Sequence, residues 1–224
     1  PILSSLSAQK EFSKDVLIED FRKYIFFLEE THTDPYYPFG GKIQFQEEVQ
    51  NLINDIPKKG LNEDDFRKIL TTFNSKLRDG HTFIINEQPI EPSAIKKLNL
   101  EFKILSDGIV ISRSPNMKVN GMRVVAINEV PIEELLIKIQ SIEICENIAG
   151  AYLSLVNTLQ FRSSVNKLFD HIDADSIMLS LIDNQSKIIT ETINYVSREN
   201  FDAMPNPKSI DIDISRTKPF EYKY

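Results

Sequence analysis

Apolar positions near the start of the chain recur every third or fourth residue: Phe12, Val16, Leu17, Phe21, Tyr24, Ile25 and Leu28. That period places them on one face of an amphipathic helix. His32-Thr33-Asp34-Pro35 ends it, because a proline biases the residue before it away from helical backbone. A second helix carries Phe45, Val49, Leu52, Ile53 and Ile56 and stops at Pro57 and Gly60. The third opens at Asn62, a good N-cap, with Glu63, Asp64 and Asp65 at the positive end of the helix dipole. Its stripe is Phe66, Ile69, Leu70, Phe73 and Leu77, and Asp79-Gly80 closes it, with Gly80 as the left-handed residue. His81 follows at once, and Phe83-Ile84-Ile85 predicts a short strand. Residues 11–85 therefore read as helical.

Near residue 90 the period changes. Pro89 and Pro92 mark a linker. Leu100–Leu105 and Ile109–Ser112 are short β-type runs joined at Ser106-Asp107-Gly108, a hairpin pattern. Arg123–Ile127 is a further strand, followed by a turn at Asn128-Glu129. Pro131 suits the first turn of a helix whose apolar face is Ile132, Leu135, Leu136 and Ile139. Helical spacing continues through Ile148, Tyr152, Leu155, Val156 and Leu159 to Val165, Leu168 and Phe169. Ile177–Ile182 and Ile188–Tyr195 read as two strands around an Asp183–Ser186 turn. In the tail, Ile210, Ile212 and Ile214 alternate with Asp211 and Asp213, the period of a linking or edge strand. The fold class expected is α+β.

Composition narrows the function. Of 224 residues, 26 are Lys or Arg and 33 are Asp or Glu, a net charge of −7, with a pI near 5.1. An acidic chain without a basic stripe argues against a nucleic-acid partner. No apolar run approaches the roughly 18 residues of a membrane-spanning helix. Cys145 stands alone, which excludes an intrachain disulfide and a cysteine-rich zinc site. Only 7 glycines are present, and neither GxGxxG nor the P-loop pattern occurs. HExxH and GxSxG are also absent. No metal and no cofactor is assigned, and the chain contains no complete nucleophile motif.

Three histidines remain: His32, His81 and His171. His81 lies just past a helix C-terminus, where a scaffold can present a side chain to a cleft. It is either a catalytic group or a histidine that hydrogen-bonds helix-end carbonyls. His32 reads as a cap on the first helix, and His171 as a surface or capping residue. Tyr36-Tyr37-Pro38-Phe39 either lines a groove or packs between helices. Asn184-Gln185-Ser186 matches the N-glycosylation sequon, which matters only in a secreted eukaryotic chain.

The segments Glu30–Tyr36, Leu61–Phe66 and Leu77–Thr82 together resemble the N-terminal helical domain of S41-family serine peptidases, the group of tail-specific and tricorn-type proteases. Members show an H-P-[ND]-x-Y segment, a helix opened near L-[ST]-x-x-E-F, and a D-G-H-T box, in this order. Thr33 stands where the family often has Pro. Val124–Leu135 resembles the V-x-x-I-N-G-x-P-I-x-E-L stretch of the PDZ-like module that follows in these proteins, with Glu129 in place of the usual Gly. The resemblance implies a helical domain at 1–88, a PDZ-like domain at 89–200 with a helical insertion at Glu146–Phe169, and a linker at 201–224 toward a downstream catalytic domain carrying the serine. It implies a polypeptide substrate, and an extracellular, periplasmic or membrane-tethered location. In the tricorn-type branch His81 would be the general base that activates the serine. In the Ser–Lys branch it would be structural. By this reading the chain alone is inactive. The alternatives are a non-proteolytic binding protein and a PDZ-like adaptor of the same superfamily. The chain has no GLGF-like loop, so peptide binding by the module is left open.

Overall fold

The computed structural model describes residues 10–84, 95–169, 175–183 and 185–205. In chain order these form β1 (Glu11–Phe12), α1 (Lys14–Thr31), α2 (Lys42–Asp55), β2 (Leu61–Asn62), α3 (Glu63–Leu77), β3 (Lys96–Leu98), β4 (Glu101–Leu105), β5 (Gly108–Arg113), β6 (Arg123–Ile127), β7 (Val130–Pro131), α4 (Ile132–Ile142), α5 (Ile148–Gln160), α6 (Arg162–Val165), β8 (Ser176–Ile182), β9 (Ile188–Ser197) and α7 (Arg198–Asp202). The fold is α+β. The linker prolines Pro89 and Pro92, His171, Asn184 of the sequon and the Ile210–Ile214 alternation lie outside the described residues. No helix among those described is long and apolar enough to cross a membrane.

Two units divide the chain, and they interleave. The first contains α1–α3 and also takes in Glu133–Leu159, so most of α4 and α5 groups with the N-terminal helices and not with the sheet. A single cut near residue 89 therefore does not describe the division. Sequence spacing shows which face of a helix is apolar, but not which of two units that face joins.

The first unit is built on rings. Phe21 from α1, Phe45 from α2 and Phe73 from α3 are fully buried, with Ile25, Leu28, Val49, Ile53 and Leu77 around them. Phe73 meets Phe21 edge-on at 5.7 Å and stacks on Phe39 at 5.4 Å. Phe45 receives Tyr36 and Phe39 edge-on at 5.3 and 5.2 Å. Edge and offset geometries are those the ring quadrupoles favour. The three predicted helices are all present. The first begins at Lys14, however, because Phe12 pairs instead with Leu61 in the short β1–β2 ladder. Gly60 makes that ladder possible: at φ 84° a Cβ there would stand 1.8 Å from the Phe12 carbonyl oxygen. Asn62 caps α3 as expected, accepting the Asp65 N–H at 2.9 Å.

The second unit holds a sheet of seven antiparallel strands in the order β3-β9-β8-β6-β5-β4, with β7 paired to β6. On β8, Ile177, Leu179 and Leu181 are buried and alternate with half-exposed residues, the period-two pattern of a strand with one core face. The β4–β5 hairpin turns at Ser106-Asp107 as expected, with Leu105 opposite Gly108. At Asn128-Glu129 both residues take positive φ, 47° and 68°. This is a two-residue turn of the primed kind that suits strand twist, and it places Val130 opposite Ile127. Pro131 is therefore in an edge strand, where its missing N–H costs nothing, and α4 starts one residue later than predicted. The Asn128 side chain also accepts the Met178 N–H at 2.8 Å, locking the turn to β8.

Candidate functional site

The C-terminal end of α3 differs from its prediction. The left-handed residue is Arg78, at φ 52°, and Gly80 does not have positive φ. Position 80 instead meets the end of the exposed Glu146 side chain. A Cβ there would lie 2.7 Å from Glu146 Oε1, and the Gly80 N–H donates to that same oxygen at 3.1 Å. The helix-end carbonyls are thus not capped by the His81 ring.

Asp79 organises the turn instead. Its Oδ1 accepts the His81 backbone N–H at 3.0 Å and faces His81 Nδ1 at 3.3 Å. Its Oδ2 accepts the Thr82 hydroxyl at 2.7 Å and faces His32 Nε2 at 3.3 Å. The Thr82 hydroxyl, the His81 N–H and the nearby His32 together hold the Asp79 carboxyl below the usual carboxylate range, in that order of weight among the favourable contacts. An ionised carboxylate only accepts, so each imidazole nitrogen that faces it carries the proton. For His81 that places hydrogen on Nδ1 and leaves Nε2 as the acceptor. The His81 side chain is 94% exposed, so Nε2 is open to whatever approaches.

His32 closes α1 through its backbone, whose N–H donates to Leu28 O at 2.9 Å. Its ring does something the sequence did not reveal. Nδ1 accepts the Asp34 N–H at 3.1 Å, which fixes the other nitrogen as the donor toward Asp79. Asp34 Oδ1 in turn accepts the N–H groups of Tyr36 and Tyr37 at 3.0 and 3.1 Å. The Tyr36–Phe39 cluster divides its work: Tyr36 and Phe39 pack in the ring core, while Tyr37 is 83% exposed and lines a cleft with Phe27, His32, Asp79, His81 and Phe83. That open cleft has a volume of about 870 Å³. Phe83-Ile84 forms no strand, and Phe83 remains exposed at the cleft.

Asp79, His81 and Glu146 each offer a ligand atom within 4.8 Å of the others. Sequence reasoning assigned no metal donors and overlooked Glu146. It lies 66 residues beyond Gly80, and no spacing rule links them. As it stands, the arrangement can orient an imidazole with one nitrogen held by a carboxylate and the other free to take a proton. The cleft contains no nucleophile paired to that free nitrogen among the described residues.

Among solved structures, a point mutant of CPAF matches with a TM-score of 0.51 at 15% identity, covering 81% of this chain and 35% of that one. Mature CPAF complexed with lactacystin matches with a TM-score of 0.51 at 15% identity, covering 80% of this chain and 35% of its own. The photosystem II D1 C-terminal processing protease aligns at 12% identity with a TM-score of 0.35, over 83% of this chain and 44% of that one. No family model matches, and no curated protein sequence does. The likeness is one of fold, and the chain spans about a third of the length of the CPAF chains it resembles.

Proposed function

We propose that this chain is the N-terminal part of an S41-like serine peptidase acting on polypeptides, in which His81 is the general base for a serine supplied by a downstream catalytic domain. The observation that carries the reading is the His81 ring itself. Its Nδ1 faces the Asp79 carboxylate at 3.3 Å while its exposed Nε2 is the proton acceptor. This is the orientation a hydroxyl nucleophile needs, because a serine is weak at its own pKa and must lose its proton to a base within hydrogen-bond reach. The fold likeness to CPAF supports the same reading. The second unit would serve as the PDZ-like module that gates the substrate, and the protein would work outside the cytoplasm or tethered to a membrane.

In this mechanism Asp79 positions the base and offsets the charge of the imidazolium that forms, without itself taking the proton. Thr82 and His32 hold Asp79 still. The exposed rings of Phe27, Tyr37 and Phe83 would give the cleft an apolar wall against an extended chain. The test is His81→Ala in the full-length protein. The expected result is a fall in kcat of several orders of magnitude, as for loss of a triad member, with the circular dichroism spectrum unchanged. Unchanged kcat per folded molecule would place the base elsewhere, as in the Ser–Lys branch. The isolated chain is expected to hydrolyse nothing. Turnover that survives repurification and is lost on mutating a residue of this chain would refute the division of labour.

A further inference from the structure

We infer that His32 is a positioning residue for the base: from the end of α1 it fixes the carboxylate that orients His81, and without it turnover falls although the fold survives. This role rests on the function proposed above, because it serves the same His81.

The Asp79 carboxylate needs an anchor outside its own turn. The last torsion of an aspartate side chain is broad, so the carboxylate plane rotates easily unless its oxygens are held. Two of its partners, the His81 N–H at 3.0 Å and the Thr82 hydroxyl at 2.7 Å, lie on the same turn as Asp79. Contacts within one turn shape that turn, but they do not set its direction against a neighbouring helix. His32 closes α1, and its Nε2 faces Asp79 Oδ2 at 3.3 Å. His81 Nδ1 faces the other oxygen, Oδ1, also at 3.3 Å. With Oδ2 held from α1, Oδ1 stays aimed at the base.

The surroundings of His32 prepare its Nε2 as the donor. Its Nδ1 accepts the Asp34 N–H at 3.1 Å, and the bond made by one ring nitrogen decides the protonation of the other. Asp34 is held in turn, since its Oδ1 accepts the Tyr36 and Tyr37 N–H groups at 3.0 and 3.1 Å. The same turn thus carries Tyr37 into the cleft wall and aims His32 at Asp79. The His32 side chain is only 15% exposed and that of Asp79 27%, so little water competes for the contact, and a polar contact in such a setting is stronger than at the surface. A plain helix cap would need none of this, because α1 is closed by the His32 backbone N–H on Leu28 O at 2.9 Å and not by the ring. Both imidazole contacts are longer than the about 2.7–2.9 Å of a tight charge-assisted bond. Catalytic contacts of this kind commonly close up only when the substrate complex forms.

Two substitutions separate the roles of the ring. Asparagine at position 32 can still accept the Asp34 N–H but is too short to reach Asp79. Glutamine can reach Asp79 with an amide N–H. In the full-length protein, with labelled casein as the probe, His32→Asn should lower kcat by about 10–100-fold, the worth of a hydrogen bond to a charged group. KM should change by less than about twofold, as for an interaction made in the transition state. His32→Gln should recover most of the loss. Nitrogen NMR of the histidine rings should show wild-type His32 protonated at Nε2 and His81 at Nδ1, with His81 losing part of its Nδ1 protonation in His32→Asn. The wild-type spectrum needs no variant to fold, and a His32 ring protonated at Nδ1 there would overturn the role. So would wild-type kcat in His32→Asn, equal losses in the Asn and Gln variants, or an unmoved His81 tautomer in the folded Asn variant. His81→Ala with kcat unchanged would refute the proposed function and this role with it. Loss of turnover in His81→Ala beside a wild-type rate in His32→Asn would refute the role of His32 alone.

Discussion

Replacing Phe73 with alanine tests whether packed rings hold the helix that ends in the histidine cleft. The Phe73 ring is fully buried and meets Phe21 at 5.7 Å, Phe39 at 5.4 Å and Phe45 at 5.7 Å. Truncating a buried phenylalanine costs about 3–5 kcal/mol, part transfer and part cavity. Each ring pair lost adds on the order of 0.5–1.5 kcal/mol beyond its area, so the upper half of that range is expected here. A domain's whole stability is about 5–15 kcal/mol, which makes this one side chain a large share of it. With a urea slope of about 1–3 kcal/mol/M, the midpoint should fall by about 1 M or more. The chain has no tryptophan, so the transition is followed by far-UV circular dichroism, which the helices of the first unit dominate. Phe26→Ala is the control. Phe26 is 58% exposed, and its removal should change stability by no more than about 0.5 kcal/mol. A midpoint for Phe73→Ala that matches the control would refute the argument that the four rings form the load-carrying core of α1–α3.

Other outcomes follow from single residues. Glu129 holds φ 68° without being glycine, a left-handed conformation that costs a side-chain-bearing residue about 1–2 kcal/mol. Glu129→Gly should therefore raise the melting temperature, and a lower one would show that the Glu129 side chain makes a compensating contact. The Asp79 carboxyl is held low chiefly by the Thr82 hydroxyl. Its stabilising contribution should be complete above the ordinary aspartate pKa of about 3.9 and lost as pH falls through the lower folded-state value. An NMR titration should show that midpoint rising in Thr82→Val, and an unmoved midpoint would remove Thr82 from the account. Burial pushes the Cys145 thiol up, against a Ser154 contact that lowers it. A neutral thiol reagent at pH 7 should label Cys145 only on unfolding, and fast labelling of the native chain would contradict its burial.

How much of this was legible in the sequence depends on the range over which each feature is decided. Helices α1–α3, the Asn62 cap, the Ser106-Asp107 hairpin and the strand Arg123–Ile127 are local. Period and capping chemistry act within a few residues, so the order of apolar and polar side chains determines them. The resemblance that singled out His81 was local too, resting on Asp79, Gly80, His81 and Thr82 in a row. The sequence also determined that this His81 would follow a helix end. It did not determine that Arg78 and not Gly80 would turn left-handed there. Nor did it reveal Glu146, whose Oε1 folding brings against the Gly80 N–H from 66 residues away. Likewise His32 reads as a plain helix cap until the packing of α1 beside α3 sets its ring against Asp79. The grouping of Glu133–Leu159 with the N-terminal helices is a choice between two apolar surfaces that one-dimensional spacing cannot rank. Pairings of this kind are made by burial and close approach between distant parts of the chain. Only the tertiary structure could place two carboxylates and a second histidine around the one the sequence pointed to.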